Sequence, residues 1–201
     1  MTQSRYQIAL SRRSMLGKFA AACASYAGLT AFARASPRSQ SGPKWDDRYE
    51  LAVDFEIAQP NEGRYHRPYV AVWVEDGSGR AVRTLVLWVN RNGKGPRYFH
   101  ELRRWFRDEG SAQASGRPDL VSTISSATRL PGKYSASWDG RDDRGRVVEQ
   151  GAYRLYIEAA REHGSYQLIQ HDLDLGLEPK TIDLAGNREI ARAHVEYRRR
   201  K

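Results

Sequence analysis

Runs in which apolar and polar residues alternate are the feature that most constrains the fold of this chain. From Tyr49 to Ile57, an apolar side chain (Tyr, Leu, Val, Phe or Ile) occupies every second position. Since side chains of a β-strand point alternately to its two faces, this alternation predicts a strand with one buried face. Further strand-like runs, separated by turn residues, cover residues 69–89, 134–138, 152–173, 180–184 and 189–197, and both alternating sets are apolar within 69–74. The chain is therefore predicted to be all-β, with about eight short strands.

The positions of the turn residues predict how these strands pair. Turns at 76–79 and 163–165 divide two of the longer runs, so residues 69–89 and 152–173 are each expected to form a hairpin. Many short strands joined by tight turns are typical of an immunoglobulin-like antiparallel β-sandwich, and a β-barrel is the alternative. The immunoglobulin disulfide would be absent, because the one cysteine of the chain is Cys23, near the N-terminus.

One segment departs from the strand pattern. Within residues 97–108, Phe99, Leu102 and Phe106 recur at spacings of three and four, which predicts one short amphipathic helix. A loop is expected at 109–118. The opposite side of the helix is basic, and it is expected to be a solvated face or, alternatively, a docking surface for an acidic partner; its members are Arg97, Arg103, Arg104 and Arg107.

The first 35 residues have the order of a secretory signal peptide. An Arg12-Arg13 pair precedes a mildly apolar run, and Ala33-Arg34-Ala35 offers a cleavage site. This order predicts export by the twin-arginine route to the periplasm, although a buried helix that begins with two arginines would have the same composition. The expected organisation is a twin-arginine signal peptide at 1–35, a linker at 36–48, a β-sandwich domain at 49–197 and a basic tail at 198–201.

The basic residues are concentrated at the two ends of the chain. The formal net charge is +9, but residues 1–35 carry five basic groups and no acid, and the last four residues are all basic. Residues 36–197 are therefore close to neutral. Because nucleic-acid binding needs a basic patch on the folded surface, we expect no nucleic-acid partner. The apolar run of the signal peptide is too polar for a permanent membrane anchor, so we expect a soluble mature protein.

The sequence contains no motif of a stand-alone enzyme. A Gly-x-Ser-x-Gly elbow, a P-loop and a dinucleotide fingerprint are all missing, and no two histidines have the spacing of a zinc helix. Residues 139–145 hold three carboxylates, but Arg141 and Arg144 would repel a cation, so we interpret them as a turn. We therefore expect neither catalytic residues nor metal ligands, and a hydrolase or metalloenzyme is the least supported function.

Two resemblances extend the fold prediction. The segment "GKYSASWDGRDDRGRVVEQGAYRLYIEA" resembles the Trp-Asp-Gly strand-turn-strand unit of flagellar-hook-capping-type immunoglobulin-like domains, in which the Trp packs inside the sandwich. Residues 49–197 resemble the periplasmic domain-of-unknown-function family 2271, through "YVAVWVEDGSGRAVRTLVLW", "SSATRLPGKYSASWDGRDDRG" and "GAYRLYIEAAREHG". That family resemblance implies a partner of PepSY-type membrane proteins and flavin transferases, in extracytoplasmic electron transfer or iron acquisition.

A cluster of small hydroxyl residues precedes the Trp-Asp-Gly unit. Ser125-Ser126-Ala127-Thr128 is similar to the D-x-x-[S/T]-G-A-T motif, on whose threonine a flavin transferase places covalent FMN. Ser125, Ala127 and Thr128 match, whereas Ser126 stands where Gly is usual and Ser122 where Asp is usual. The resemblance implies that Thr128 anchors FMN, with Ser125 and Ala127 as approach residues and Arg129 offsetting the phosphate charge. The alternative is a polar loop before the Pro131-Gly132 turn.

These features support two hypotheses about function. The first is a periplasmic accessory protein of an envelope redox or PepSY-type membrane system, with covalent FMN on Thr128. A flavin transferase and a PepSY-type membrane protein would then be its partners. The second is a cofactor-free β-sandwich binding module that docks a membrane partner. Neither requires the protein to be an enzyme by itself.

Overall fold

The computed structural model of the protein describes residues 42–59, 65–93, 95–114, 119–162 and 164–200. The predicted signal peptide at 1–35 and residues 36–41 of the predicted linker lie outside these ranges. So does His163 of the second hairpin turn.

Eight strands and three short helical segments make up the described part of the chain. The strands are β1 (Tyr49–Ile57), β2 (Tyr69–Asp76), β3 (Ala81–Trp88), β4 (Gly132–Trp138), β5 (Gly151–Ala160), β6 (Tyr166–Leu175), β7 (Lys180–Ala185) and β8 (Ile190–Arg199). A 3₁₀ helix (Gly95–Glu101), α1 (Arg103–Ala114) and α2 (Leu120–Thr123) lie between β3 and β4. No helix in the described ranges has the length and apolar character needed to cross a bilayer.

The strands form two four-stranded antiparallel sheets. The first sheet has the order β4-β1-β8-β7 and the second has the order β3-β2-β5-β6. The second order matches strands C′, C, F and G of a variable-type immunoglobulin domain, and β4 and β1 then occupy the places of strands E and B. The place of strand A beside β1 is filled by β8, from the other end of the chain. The predicted immunoglobulin-like sandwich is thus confirmed, in preference to the barrel.

The main core lies between the two sheets. Alternate side chains from both sheets are buried there, including Val53 and Phe55 from β1, Val72 from β2 and Ile157 from β5. Burying such side chains away from water is the main stabilising contribution to a sandwich of this kind. In β1, the alternation of the sequence therefore reflects the alternation between this core and the outer surface.

A second apolar cluster covers the outer face of the second sheet. Trp73 of β2 stacks on Tyr156 of β5, with ring centroids 4.7 Å apart, and the helices pack over them through Leu102, Trp105 and Leu120. Because both faces of β2 are covered, almost every residue of this strand is buried. This explains why β2 reads as a nearly continuous apolar run.

Two buried glutamates fix α1 to the sheet. The Glu158 carboxylate accepts hydrogen bonds of 2.8 Å from the backbone N–H groups of Arg104 and Trp105, and so caps the first turn of the helix. Burial raises the pKa of Glu158 above its usual range, although these two bonds oppose the change. The Arg104 guanidinium lies 2.8 Å from Glu75, which is also buried.

These contacts correct the sequence prediction for this segment. The predicted helix at 97–108 is a 3₁₀ helix followed by α1, which continues to Ala114 through much of the predicted loop. Arg104 is half-buried against Glu75 rather than on a solvated face. The carboxylate partner comes from a strand distant in sequence, so helical periodicity could not indicate it.

The Trp-Asp-Gly unit closes one end of the sandwich. The indole of Trp138 is buried and donates a 2.7 Å hydrogen bond to the backbone carbonyl of Arg141. Gly140 has a φ of 75° and lies against the ring of Trp45, which is 5% exposed and whose centroid is 4.8 Å from that of Trp138. Residues 42–48, which the sequence analysis placed in a linker, therefore include a side chain of the core.

The residues predicted to form a basic tail, 198–201, largely belong to the sandwich. Strand β8 extends to Arg199, and the backbone N–H of Arg200 donates a 2.7 Å hydrogen bond to the carbonyl of Arg48. Most of residues 198–201 thus continue the sheet rather than project from it.

Candidate functional site

The stretch that contains Thr128 connects the edges of the two sheets. Ser126 forms a parallel bridge with Trp88 at the end of β3: its N–H donates to Leu87 and its carbonyl accepts from Val89, both at 2.9 Å. The chain then runs on to β4, the edge strand of the other sheet. We call residues 124–130 the crossing segment. Its position beside two strand edges leaves it on the surface of the sandwich.

The three residues of the predicted acceptor motif have different environments. The Ser125 hydroxyl donates to the backbone carbonyl of Val121 and so closes the end of α2. Ala127 is exposed and Thr128 is half-buried. Among the described residues, no hydrogen bond engages the Thr128 hydroxyl. Ser125 thus has a local structural contact, whereas the Thr128 hydroxyl has no hydrogen-bond partner among the described residues.

The two departures from the acceptor motif are accommodated without strain. Ser126 is held in an extended β-bridge, a conformation that any residue adopts, so this position has no need of glycine. Ser122 lies in α2, and its hydroxyl donates to the carbonyl of Asp119. The Asp119 carboxylate accepts from the N–H groups of Val121 and Ser122 and caps this helix.

An arginine that lies over two aromatic rings directly follows Thr128. The Arg129 guanidinium is 4.8 Å from the ring centroid of Trp88 and 5.4 Å from that of Tyr134. The Trp88 and Tyr134 rings meet edge to face at 4.7 Å, and Phe55 lies 5.5 Å from Trp88. We call Phe55, Trp88 and Tyr134 the edge aromatic cluster, because it fills the gap between the sheets where the crossing segment passes.

The edge aromatic cluster could not be recognised from the sequence. Trp88 belongs to the main core and is 4% exposed. However, one face of its ring is covered by the side chain of Arg129, which is itself exposed. The only local signal is that Arg129 follows Thr128 directly. The neighbours on β3 and β4 come together only because the edges of the two different sheets meet at the crossing segment.

Two exposed apolar side chains flank the site. Ile124 is 37% exposed and Leu130 is 55% exposed, at the two ends of the crossing segment. The Leu130 carbonyl accepts a 2.6 Å hydrogen bond from the Tyr134 hydroxyl, which fixes the backbone at that end.

The acidic residues at 139–145 form turns, as predicted. The Asp142 carboxylate accepts from the N–H groups of Arg144 and Arg146, each at 2.9 Å, and from the Arg146 guanidinium. Partial burial alone would raise the pKa of Asp142, but these hydrogen bonds lower it below its usual range. Gly145 has a φ of 77° in this turn. Aspartate and glycine are common in turns because aspartate accepts hydrogen bonds from nearby backbone N–H groups and glycine allows a positive φ.

The histidines do not assemble into a metal site within the described ranges. No group of three His, Cys, Asp or Glu side chains there has an arrangement that could hold a metal ion. His194 lies on the exposed face of β8, and its Nδ1 is 2.6 Å from the Asp183 carboxylate. This hydrogen bond raises the pKa of His194 above its usual range.

The fold and the crossing segment define the chain as an antiparallel β-sandwich protein in which a surface segment that contains Thr128 connects the edges of the two sheets. The family model described as "Predicted periplasmic protein (DUF2271)" matches residues 50–192, and the chain belongs to this family. The resemblance and the periplasmic location inferred from the sequence agree with that description. No curated protein and no solved structure is significantly similar to the chain.

Proposed function

We propose that this protein is a periplasmic flavin carrier of an envelope redox or PepSY-type membrane system, with FMN attached covalently to Thr128. The observation that carries the proposal is the unengaged Thr128 hydroxyl on an accessible, anchored segment, immediately before a cationic residue. The acceptor-like sequence Ser-Ser-Ala-Thr and the twin-arginine leader support the same conclusion. The family description supports the periplasmic location.

The attachment is a phosphoryl-group transfer catalysed by a separate flavin transferase. The Thr128 Oγ1 attacks the FMN-side phosphorus of FAD, and the pyrophosphate P–O bond to the AMP half breaks. AMP leaves, the hydroxyl proton passes to a base of the transferase or to water, and the product is a phosphodiester between Thr128 and FMN. No electrons are exchanged in this step, so it requires no oxidant or reductant.

The residues around Thr128 fit this group. The bridge between Ser126 and Trp88 holds the backbone in one place, while the exposure of Ala127 leaves room for the transferase to approach. The Arg129 guanidinium supplies a positive charge next to the phosphodiester. FMN supplies reversible electron transfer when bound, and the protein supplies position and shielding.

Docking to a membrane partner is the second candidate function. The exposed Ile124 and Leu130 favour it, because they offer apolar contact area on either side of Thr128. In the flavin-carrier proposal these side chains would contact the PepSY-type protein with which electrons are exchanged. In the cofactor-free alternative they would form the docking surface alone.

The colour of the purified protein distinguishes these two functions. The protein is co-expressed with a flavin transferase, denatured, desalted to remove free flavin, and measured for visible absorbance. We expect a yellow wild type and a colourless Thr128→Val variant, while Thr123→Val, which changes a nearby hydroxyl in α2, stays yellow. A colourless wild type would support the cofactor-free module, and a yellow Thr128→Val variant would place the flavin elsewhere.

A further inference from the structure

The face of Trp88 beneath Arg129 is an aromatic surface beside the proposed attachment point. We propose that the isoalloxazine ring of FMN attached to Thr128 stacks on this face, in the place that the Arg129 guanidinium occupies in the structure. This inference rests on the proposed function and adds to it the site that holds the flavin ring. Trp88 would be a positioning residue for that ring.

A ligand can displace the Arg129 side chain that covers Trp88. Arg129 is exposed and is held over the ring by a cation–π contact at 4.8 Å, an interaction that is weak at exposed positions. A long arginine side chain regains rotational freedom when it leaves such a contact. Among the cation–π contacts in the described ranges, this one alone covers a tryptophan.

Trp88 is held rigidly in position for stacking. Its backbone is bridged to Ser126, and its ring packs against Tyr134 and Phe55. A flat, electron-poor isoalloxazine prefers to stack on an electron-rich indole, as nucleic-acid bases stack on aromatic side chains. Attachment at Thr128 would keep the flavin at a high effective concentration near this face.

Flavin fluorescence reports this contact directly. Indole and phenol rings in contact with an excited flavin quench its emission by donating an electron, whereas a phenylalanine ring does not. The emission of the native protein is divided by that of the same sample in denaturant, where the flavin remains covalently attached but leaves the aromatic cluster. This ratio is independent of how much of the sample carries flavin.

Three variants test the inference. Because the Tyr134 phenol beside Trp88 would also quench, Trp88→Phe is compared with its parent in a Tyr134→Phe background. We expect a low native-to-denatured ratio in the parent and a several-fold higher ratio in Trp88→Phe, which keeps an aromatic ring in the core. A base-type stacking preference corresponds to about a fivefold or greater change in the stacked-to-free ratio. Arg129→Ala removes the competing guanidinium and should lower the ratio further. Trp105→Phe is the control, because Trp105 belongs to the other apolar cluster.

Each result separates this inference from the function on which it rests. If flavin is attached at Thr128 but Trp88→Phe emits as weakly as its Tyr134→Phe parent, the stacking site is refuted and the attachment stands. An equal rise in Trp105→Phe would also refute it, since the effect would not be specific to Trp88. If no flavin is attached, both proposals fail.

Discussion

Replacing Gly140 with alanine tests how the Trp-Asp-Gly unit closes the sandwich. Gly140 has a φ of 75°, and a Cβ at this position would lie 2.0–2.4 Å from ring atoms of Trp45. The added methyl group therefore cannot fit unless the Trp45 ring moves out of the core. Gly145 has nearly the same φ of 77°, but a Cβ there would meet nothing within 4 Å. The two glycines form a matched pair in which only the steric contact differs.

The expected magnitudes follow from this difference. A positive φ costs an alanine about 1–2 kcal/mol relative to glycine, and both variants should lose this amount of unfolding free energy. Gly140→Ala also displaces Trp45, which is 5% exposed, and losing a buried tryptophan from a core costs about 3–5 kcal/mol. We therefore expect Gly140→Ala to be less stable than Gly145→Ala by about 2–4 kcal/mol, since the displaced ring keeps some contacts.

Urea unfolding followed by circular dichroism measures these differences. A double-mutant cycle with Trp45→Ala then isolates the contact, because Gly140→Ala should cost only the backbone amount of about 1–2 kcal/mol once the ring is absent. Equal stability of Gly140→Ala and Gly145→Ala would refute the reasoning. An unchanged cost of Gly140→Ala in the Trp45→Ala background would refute it too.

Two further predictions concern ion pairs of different burial. The raised pKa of His194 depends on Asp183, so Asp183→Asn should return it towards its usual value in an NMR titration, and an unchanged pKa would contradict this assignment. Because the folded pKa of His194 is raised, the associated stabilisation should be present at low pH and be lost as the pH rises through that pKa. The Arg161 guanidinium and the Glu189 carboxylate are both buried and lie 2.6 Å apart. Glu189→Gln removes the negative charge beside this buried arginine, so it should lower the unfolding free energy, measured by urea unfolding, by about 3–5 kcal/mol. A loss well under about 1 kcal/mol would contradict this prediction.

The strands could be predicted from sequence because their alternation reflects one physical cause. Tyr49 to Ile57 alternates since one face of β1 meets the core and the other meets solvent. Turn residues with positive φ, such as Gly79 and Gly145, separate the strands for reasons that are local in the chain. Strand positions and the sandwich class therefore follow from short-range information.

Features that depend on contacts between distant residues could not be predicted in the same way. Arg104 reads as a solvated helix position, but Glu75 and Glu158 on the sheet bury and cap that end of α1. Trp45 stands in a stretch with linker composition, and its place in the core depends on the gap above Gly140.

The candidate site combines both kinds of information. Thr128 and Arg129 could be identified from sequence, because the acceptor-like motif is continuous. Trp88 and Tyr134 could not, because they reach Arg129 only when the crossing segment joins the edges of two different sheets. The residue proposed for attachment could therefore be chosen from the sequence, whereas its aromatic surroundings could not.

Peptide mapping by mass spectrometry tests the central claim most directly. The protein is purified after co-expression with a flavin transferase and digested with trypsin, which is expected to release residues 108–129 as one peptide, since Pro118 protects the bond after Arg117. The account predicts that this peptide carries an added mass of FMN less one water, and that fragmentation places it on Thr128. An unmodified peptide, or an adduct on Ser125 or Thr123 instead, would contradict the account.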